Sequence, residues 1–202
     1  MNFSGLPLGV KIISILLLVS SLFVVLKFTA RNTSQTEAIR QIEPDGLENV
    51  TEKMFVTATK HVDEKMKDSS TSLDKQLKYI NTKQITLAVF TLFLCYGLFT
   101  VKPWAPAGII IRSGLDLACL PILISFLNTL REVFIAGMNK AWQIYGASQQ
   151  DFSSWNELED GLRIFMSIFK FILVAGSVIW NVFLIYYFRK ASTVESFSQE
   201  ED

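Results

Sequence analysis

QITLAVFTLFLCYGLFTV, residues Gln84 to Val101, is a run of 18 residues without a charge, closed by Lys83 at one end and Lys102 at the other. An α-helix rises about 1.5 Å per residue, so the two lysines stand about 28 Å apart, close to the roughly 30 Å hydrocarbon core of a bilayer. A lysine is costly inside that core and tolerable at its edge, where its stem lies along apolar surface and the ammonium reaches water. The same frame recurs twice. SGLDLACLPILISFLNTL, Ser113 to Leu130, lies between Arg112 and Arg131, and FILVAGSVIWNVFLIYYF, Phe171 to Phe188, lies between Lys170 and Arg189; each again counts 18 residues. Nothing in the packing of a soluble core imposes this repeated spacing.

A fourth apolar segment, Ile12 to Leu26 between Lys11 and Lys27, counts 15 residues and reaches spanning length by starting near Leu8. A secretory signal peptide is the rival reading. No basic residue precedes Lys11 and no small-x-small cleavage site follows, so the segment reads as an uncleaved anchor.

Composition agrees. The 202 residues are 50% hydrophobic and 12% aromatic, with 16 Phe. Basic and acidic residues number 19 each, so the zero net charge gives no basic surplus for nucleic acid and no acidic surplus for metal storage. Cys95 and Cys119 lie within apolar segments, where a thiol acts as a small hydrophobe. The single histidine, His61, lies in a charged stretch and reads as a solvated surface residue. No phosphate loop, metal-ligand spacing, serine elbow or nucleophile–base pair is visible, so no catalytic residue, cofactor or metal is expected.

These observations predict an all-α integral membrane four-helix bundle with helical extramembrane extensions. Its parts are a first transmembrane helix over 1–28, a polar loop with an amphipathic helix over 29–83, and a second transmembrane helix over 84–101. A tight interfacial hairpin over 102–112 follows, then a third transmembrane helix over 113–130, a helical connection over 131–170, a fourth transmembrane helix over 171–188 and an acidic tail over 189–202. In the first loop, apolar residues from Leu47 to Ile80 recur at helical spacing, with an interruption near Ser69–Ser72. The hairpin KPWAPAGIIIR holds two prolines and a glycine and makes the second and third helices antiparallel neighbours. The connection over 131–170 has two readings. One continues the third helix through Trp142 and Tyr145, turns over Gly146–Ser153, and starts the fourth helix at a capping box, Ser154-Trp-Asn-Glu157. The other lays a flat amphipathic segment on the membrane surface, held by Trp142 and Trp155.

The candidate functional positions are polar residues inside these spans. Arg112 and Asp116 are four apart on one helix face, either an intramembrane functional pair or a local ion pair holding Asp116 near the headgroups. Lys170 either snorkels or lines a pathway. Asn128 and Asn181 are placed to hydrogen-bond across helices as packing glue. Gly97, Gly114 and Gly176 allow close helix approach, and Pro121 bends the third span. Trp104, Tyr186 and Tyr187 are expected as interface anchors. Asn32-Thr-Ser and Asn49-Val-Thr match the glycosylation pattern.

Lys102-Pro103-Trp104-Ala105, together with Trp180-Asn181, Ile185-Tyr186-Tyr187-Phe188 and Val194-Glu195-Ser196-Phe197, resembles a loose group of small four-span bacterial inner-membrane proteins of unknown function. In that group a basic-Pro-Trp-Ala hairpin follows the second span. The resemblance implies a multi-pass protein of the bacterial inner membrane with the hairpin and both termini in the cytoplasm. The count of basic residues near the spans favours the opposite side, because the loops over 29–83 and 131–170 carry more of them. The expected role is a non-enzymatic interaction or accessory protein, a complex subunit or an immunity-type antagonist, with the lipid bilayer and a protein partner or second copy as its neighbours. The alternative is an oligomeric transporter or channel component using Arg112, Asp116 and Lys170.

Overall fold

The computed structural model describes residues 5–30, 49–68, 71–145, 155–190 and 197, the side chains of 28–30, 50 and 67 excepted. The described residues form six helices: α1 Leu8–Ala30, α2 Val50–Lys67, α3 Ser72–Phe99, α4 Trp104–Ala118, α5 Leu120–Tyr145 and α6 Trp155–Arg189. Four stretches are long and apolar enough to cross a membrane: Leu8–Lys27, Ser72–Phe99, Trp104–Tyr145 and Trp155–Arg189. The third joins α4 and α5.

Local sequence explains the helix ends. Asn49 caps α2, its side chain accepting from Thr51 N at 2.8 Å, which gives the Asn49-Val-Thr triplet a structural role. Asn32 lies outside the described residues. The interruption expected near Ser69–Ser72 is present: α2 stops at Lys67 and α3 restarts at Ser72. Thr71 holds the break, its hydroxyl donating to Lys65 O at 2.7 Å and accepting from Asp74 N at 3.3 Å. The polar turn over Gly146–Ser153 and the cap Ser154 lie outside the described residues, but α6 starts at Trp155 and runs unbroken to Arg189. These bounds, with α5 ending at Tyr145, are those of the two-helix reading of the connection.

The hairpin is shorter than the sequence predicts. Residues 102–112 do not form one interfacial turn; α4 already begins at Trp104. The reason is where the prolines fall. Pro103 precedes the helix and Pro106 sits in its first turn, where backbone N–H groups have no intrahelical acceptor to lose. The turn closes as a Schellman motif, with Lys102 N donating to Gly97 O at 2.7 Å and Val101 N to Leu98 O at 3.2 Å. Val101 takes the left-handed conformation, φ 56°, that glycine usually supplies there. Its side chain is buried, which offsets that strain. Pro121 acts as expected: the third span breaks at Cys119, since a proline cannot donate back along the helix.

The chain divides into two compact units. One comprises 1–32, 81–120 and 175–202, and its core joins four helices. Val10, Ile13 and Leu17 of α1 meet Leu94 and Leu98 of α3, Ala105 and Ile109 of α4, and Leu184 and Phe188 of α6. Phe197, beyond the last helix, packs into the same core and is 2% exposed. The helices come close where glycine permits it. A Cβ at Gly97 would lie 2.5 Å from the Trp104 ring, and one at Gly108 would collide with Leu94. Trp104 therefore packs back onto α3, stacked on Phe93 at 4.8 Å, besides marking the hairpin. Tyr187 covers Gly9, whereas Tyr186 points outward at 74% exposure. Gly114 and Gly176 face open space instead of a neighbouring helix.

The other unit comprises 33–80 and 121–174. Met54 and Ala58 of α2 pack on Met138 and Ala141 of α5, with Trp142, Trp155 and Leu158 around them. Gly137 makes this possible: a Cβ there would meet the Ala58 backbone and the His61 Cβ at 3.1–3.2 Å. His61 is thus half-buried against α5 and not simply solvated.

Gly97→Val should displace the Trp104 ring and destabilise the fold by about 1–3 kcal/mol, as overpacking does. Gly114→Ala, with open space at its Cβ, should leave stability unchanged or raise it by up to about 1 kcal/mol. Thermal unfolding in detergent checks both.

Candidate functional site

Four side chains on three helices of the first unit form one continuous polar chain. Arg112 of α4 donates from Nη1 to Asn181 Oδ1 of α6 at 3.1 Å. The Asn181 Nδ2 donates to Asp116 Oδ2 at 2.9 Å. Lys83 of α3 reaches the other carboxylate oxygen, Nζ to Oδ1, at 2.6 Å. An amide suits the middle place because it has an acceptor end for the cation and a donor end for the anion. Asn181 is 1% exposed.

Two further groups complete the arrangement. Thr91 donates its hydroxyl proton to Leu87 O at 2.6 Å, leaving its oxygen free to accept from Arg112 Nε at 3.2 Å. The second N–H of the Asn181 amide is taken by the Ser177 carbonyl at 2.9 Å. All of these groups lie within segments that are otherwise apolar. In such surroundings an unmatched polar group costs about 1–3 kcal/mol, and a charged one more.

Arg112 and Asp116 are therefore linked through Asn181, and the carboxylate's ion pair is made by Lys83 on another helix. The local Arg112–Asp116 pair is not the arrangement found. Arg112 also lies inside α4, eight residues or about 12 Å beyond Trp104, not at a helix mouth. Because α4 starts earlier than the sequence predicts, the basic residue that looks like a boundary becomes an interior one.

Lys83, Thr91 and Ser177 are the members that sequence reasoning missed. Lys83 and Thr91 were reachable by reflecting the antiparallel α3–α4 hairpin about its turn at 100–103, which sets Thr91 opposite Arg112 and leaves Asp116 about one turn from Lys83. Ser177 stands out in the sequence only as a small residue beside Gly176, not as an acceptor for Asn181.

The remaining expected positions occupy the second unit. Lys170 Nζ of α6 donates to Asn128 Oδ1 of α5 at 3.0 Å, so each bonds across helices. One turn along, Arg131 Nη1 donates to Ser167 Oγ at 3.3 Å. A ladder of charges continues outward: Glu132 accepts from Arg163 at 3.1 Å, and Arg163 pairs with Glu159 at 2.8 Å. Trp155 Nε1 donates to Glu159 at 2.7 Å. These pairs are half exposed, so solvent screens them and each is individually weak. Among the described residues no group of three or more His, Cys, Asp or Glu is placed to hold a metal ion.

No protein-family model, curated protein or solved structure matches this chain.

Asn181→Leu removes the buried link between a half-buried cation and a half-buried anion and should destabilise the protein by about 2–4 kcal/mol. Glu132→Gln, at the exposed ladder, should stay within about 0.5 kcal/mol of the parent. Unfolding midpoints in one detergent compare the two; equal effects would contradict the account.

Proposed function

We propose that the protein is a non-enzymatic integral membrane component that works by binding another membrane protein, as an accessory subunit or an immunity-type antagonist. The observation that carries this reading is α6. Its most apolar window is only 11% buried, yet the helix is held by polar bonds to α4 and to α5. Phe165, Phe171, Ile172, Ile179 and Tyr186 project from it at 61–74% exposure. A helix fixed in rotation and bare on its apolar side fits a lipid environment in which a partner helix finds a set pattern of side chains. Continuous apolar surface on this scale is otherwise rare on monomers.

The bacterial inner membrane is part of the proposal, supported by the Lys102-Pro103-Trp104-Ala105 resemblance. Cysteine labelling at residue 49 against residue 102 in intact cells assigns the sides. The alternative, an oligomeric transporter or channel component, draws on Arg112, Asp116 and Lys170. It is supported by the partial exposure of Lys83 and Asp116, 17% and 20% of their side chains.

Two measurements test the proposal. The chain should stay with the membrane pellet after alkaline carbonate extraction. Purified in a mild detergent, it should carry a second membrane protein in stoichiometric amount, seen by native mass spectrometry; a lone monomer would count against the interaction role. Ion flux through reconstituted liposomes that is unaltered by Asp116→Asn would remove the transporter alternative.

A further inference from the structure

The polar chain in the first unit does not balance. It contains two cations, Lys83 and Arg112, and one anion, Asp116. Its donors also outnumber its acceptors. A guanidinium has five N–H groups, of which Arg112 gives one to Thr91 and one to Asn181. An ammonium has three, of which Lys83 directs one to Asp116. Among the described residues nothing supplies a second carboxylate.

Depth makes this imbalance consequential. Counted from the hairpin, Arg112 lies about 12 Å along α4 and Asp116 about 18 Å, inside a core of roughly 30 Å; the Lys83 backbone lies about 24 Å along α3, near the far edge, but its ammonium is drawn inward to the Asp116 carboxylate. An uncompensated positive charge at such a depth is expensive. Lys83 is also where the chain of bonds meets the surface, with 17% of its side chain exposed. The outward face of α3 next to it carries Thr86, Val89 and Phe93, the last two 56% exposed.

From this charge surplus we infer that the outward face of α3 around Lys83 receives a transmembrane helix of another protein bearing one intramembrane carboxylate. The inference rests on the proposed interaction role and specifies the partner's chemistry. A second copy of this chain would bring the same surplus cation and so repel. A phospholipid phosphate sits outside the hydrocarbon and meets Lys83 only if its stem turns outward, away from Asp116, whereas a carboxylate carried on a helix meets the ammonium where it is paired. The carboxylate brings the charge of the site to zero and accepts the free Lys83 protons.

The test uses the full-length protein in vesicles of zwitterionic phosphatidylcholine, with synthetic Leu/Ala transmembrane helices of about 22 residues. The helices carry a single Glu at one of three successive turns, or Gln at the same places, and association is read by fluorescence energy transfer. For one Glu position the parent should bind about tenfold tighter than for its Gln counterpart. Lys83→Met should abolish that preference; it lowers stability but leaves the fold assembled, with Arg112 and Asp116 still joined through Asn181. Lys83→Arg should keep the preference. Equal binding of all Glu and Gln helices would overturn the inference, as would a preference that survives Lys83→Met. Loss of the preference when phosphatidylglycerol replaces part of the phosphatidylcholine would make lipid phosphate the counter-ion and overturn it too. A natural partner recovered without an intramembrane acid would sink this inference and leave the interaction role standing.

Discussion

A polar group buried between apolar helices must find its complement inside the protein, and in this chain Asn181 meets that demand for two charges at once. Its amide lies between a guanidinium on α4 and a carboxylate also on α4, one turn apart. That arrangement sets the rotation of α6 against α4. Because the carboxylate is also held from α3, three helices are fixed by one set of directional bonds. Apolar packing alone would specify this less well, since Leu, Ile and Phe faces tolerate small rotations that a hydrogen bond does not.

The second unit uses a different device for the same end. Its α5–α6 contact is a series of pairs, Lys170–Asn128, Arg131–Ser167 and Arg163–Glu132, that grow more exposed along the helices. Close approach at Gly137 then lets α2 lie against α5. Here the packing of Met54, Ala58, Met138 and Ala141 supplies most of the stabilisation, and the charges supply register.

Much of this was legible in the sequence, for a simple reason: hydrophobic run length and paired basic residues are local quantities. They give the four long apolar helices, the break before Ser72 and the start at Trp155. Hydrogen bonding across helices is not local. Asn181 and Asn128 were recognisable as cross-helix hydrogen-bonding residues, but the partners of Asn181 depend on where α4 begins. Arg112 looked like a boundary residue because Pro103 and Pro106 suggested a long turn, and two prolines at a helix start carry little penalty. That single difference of nine residues turned a chain of bonds through Asn181 into an imagined local pair.

Phe197 has an effect beyond its own burial. It lies eight residues past the end of α6, yet shares a groove with Pro103, Pro106, Ile110 and Phe188 beside the α3–α4 turn. Phe197 is thereby a staple between the mouth of the hairpin and the end of α6. A reporter domain fused just before Phe197 would pull out that staple, whereas one joined after residue 202 would preserve it, so the choice of fusion point decides which protein is being observed.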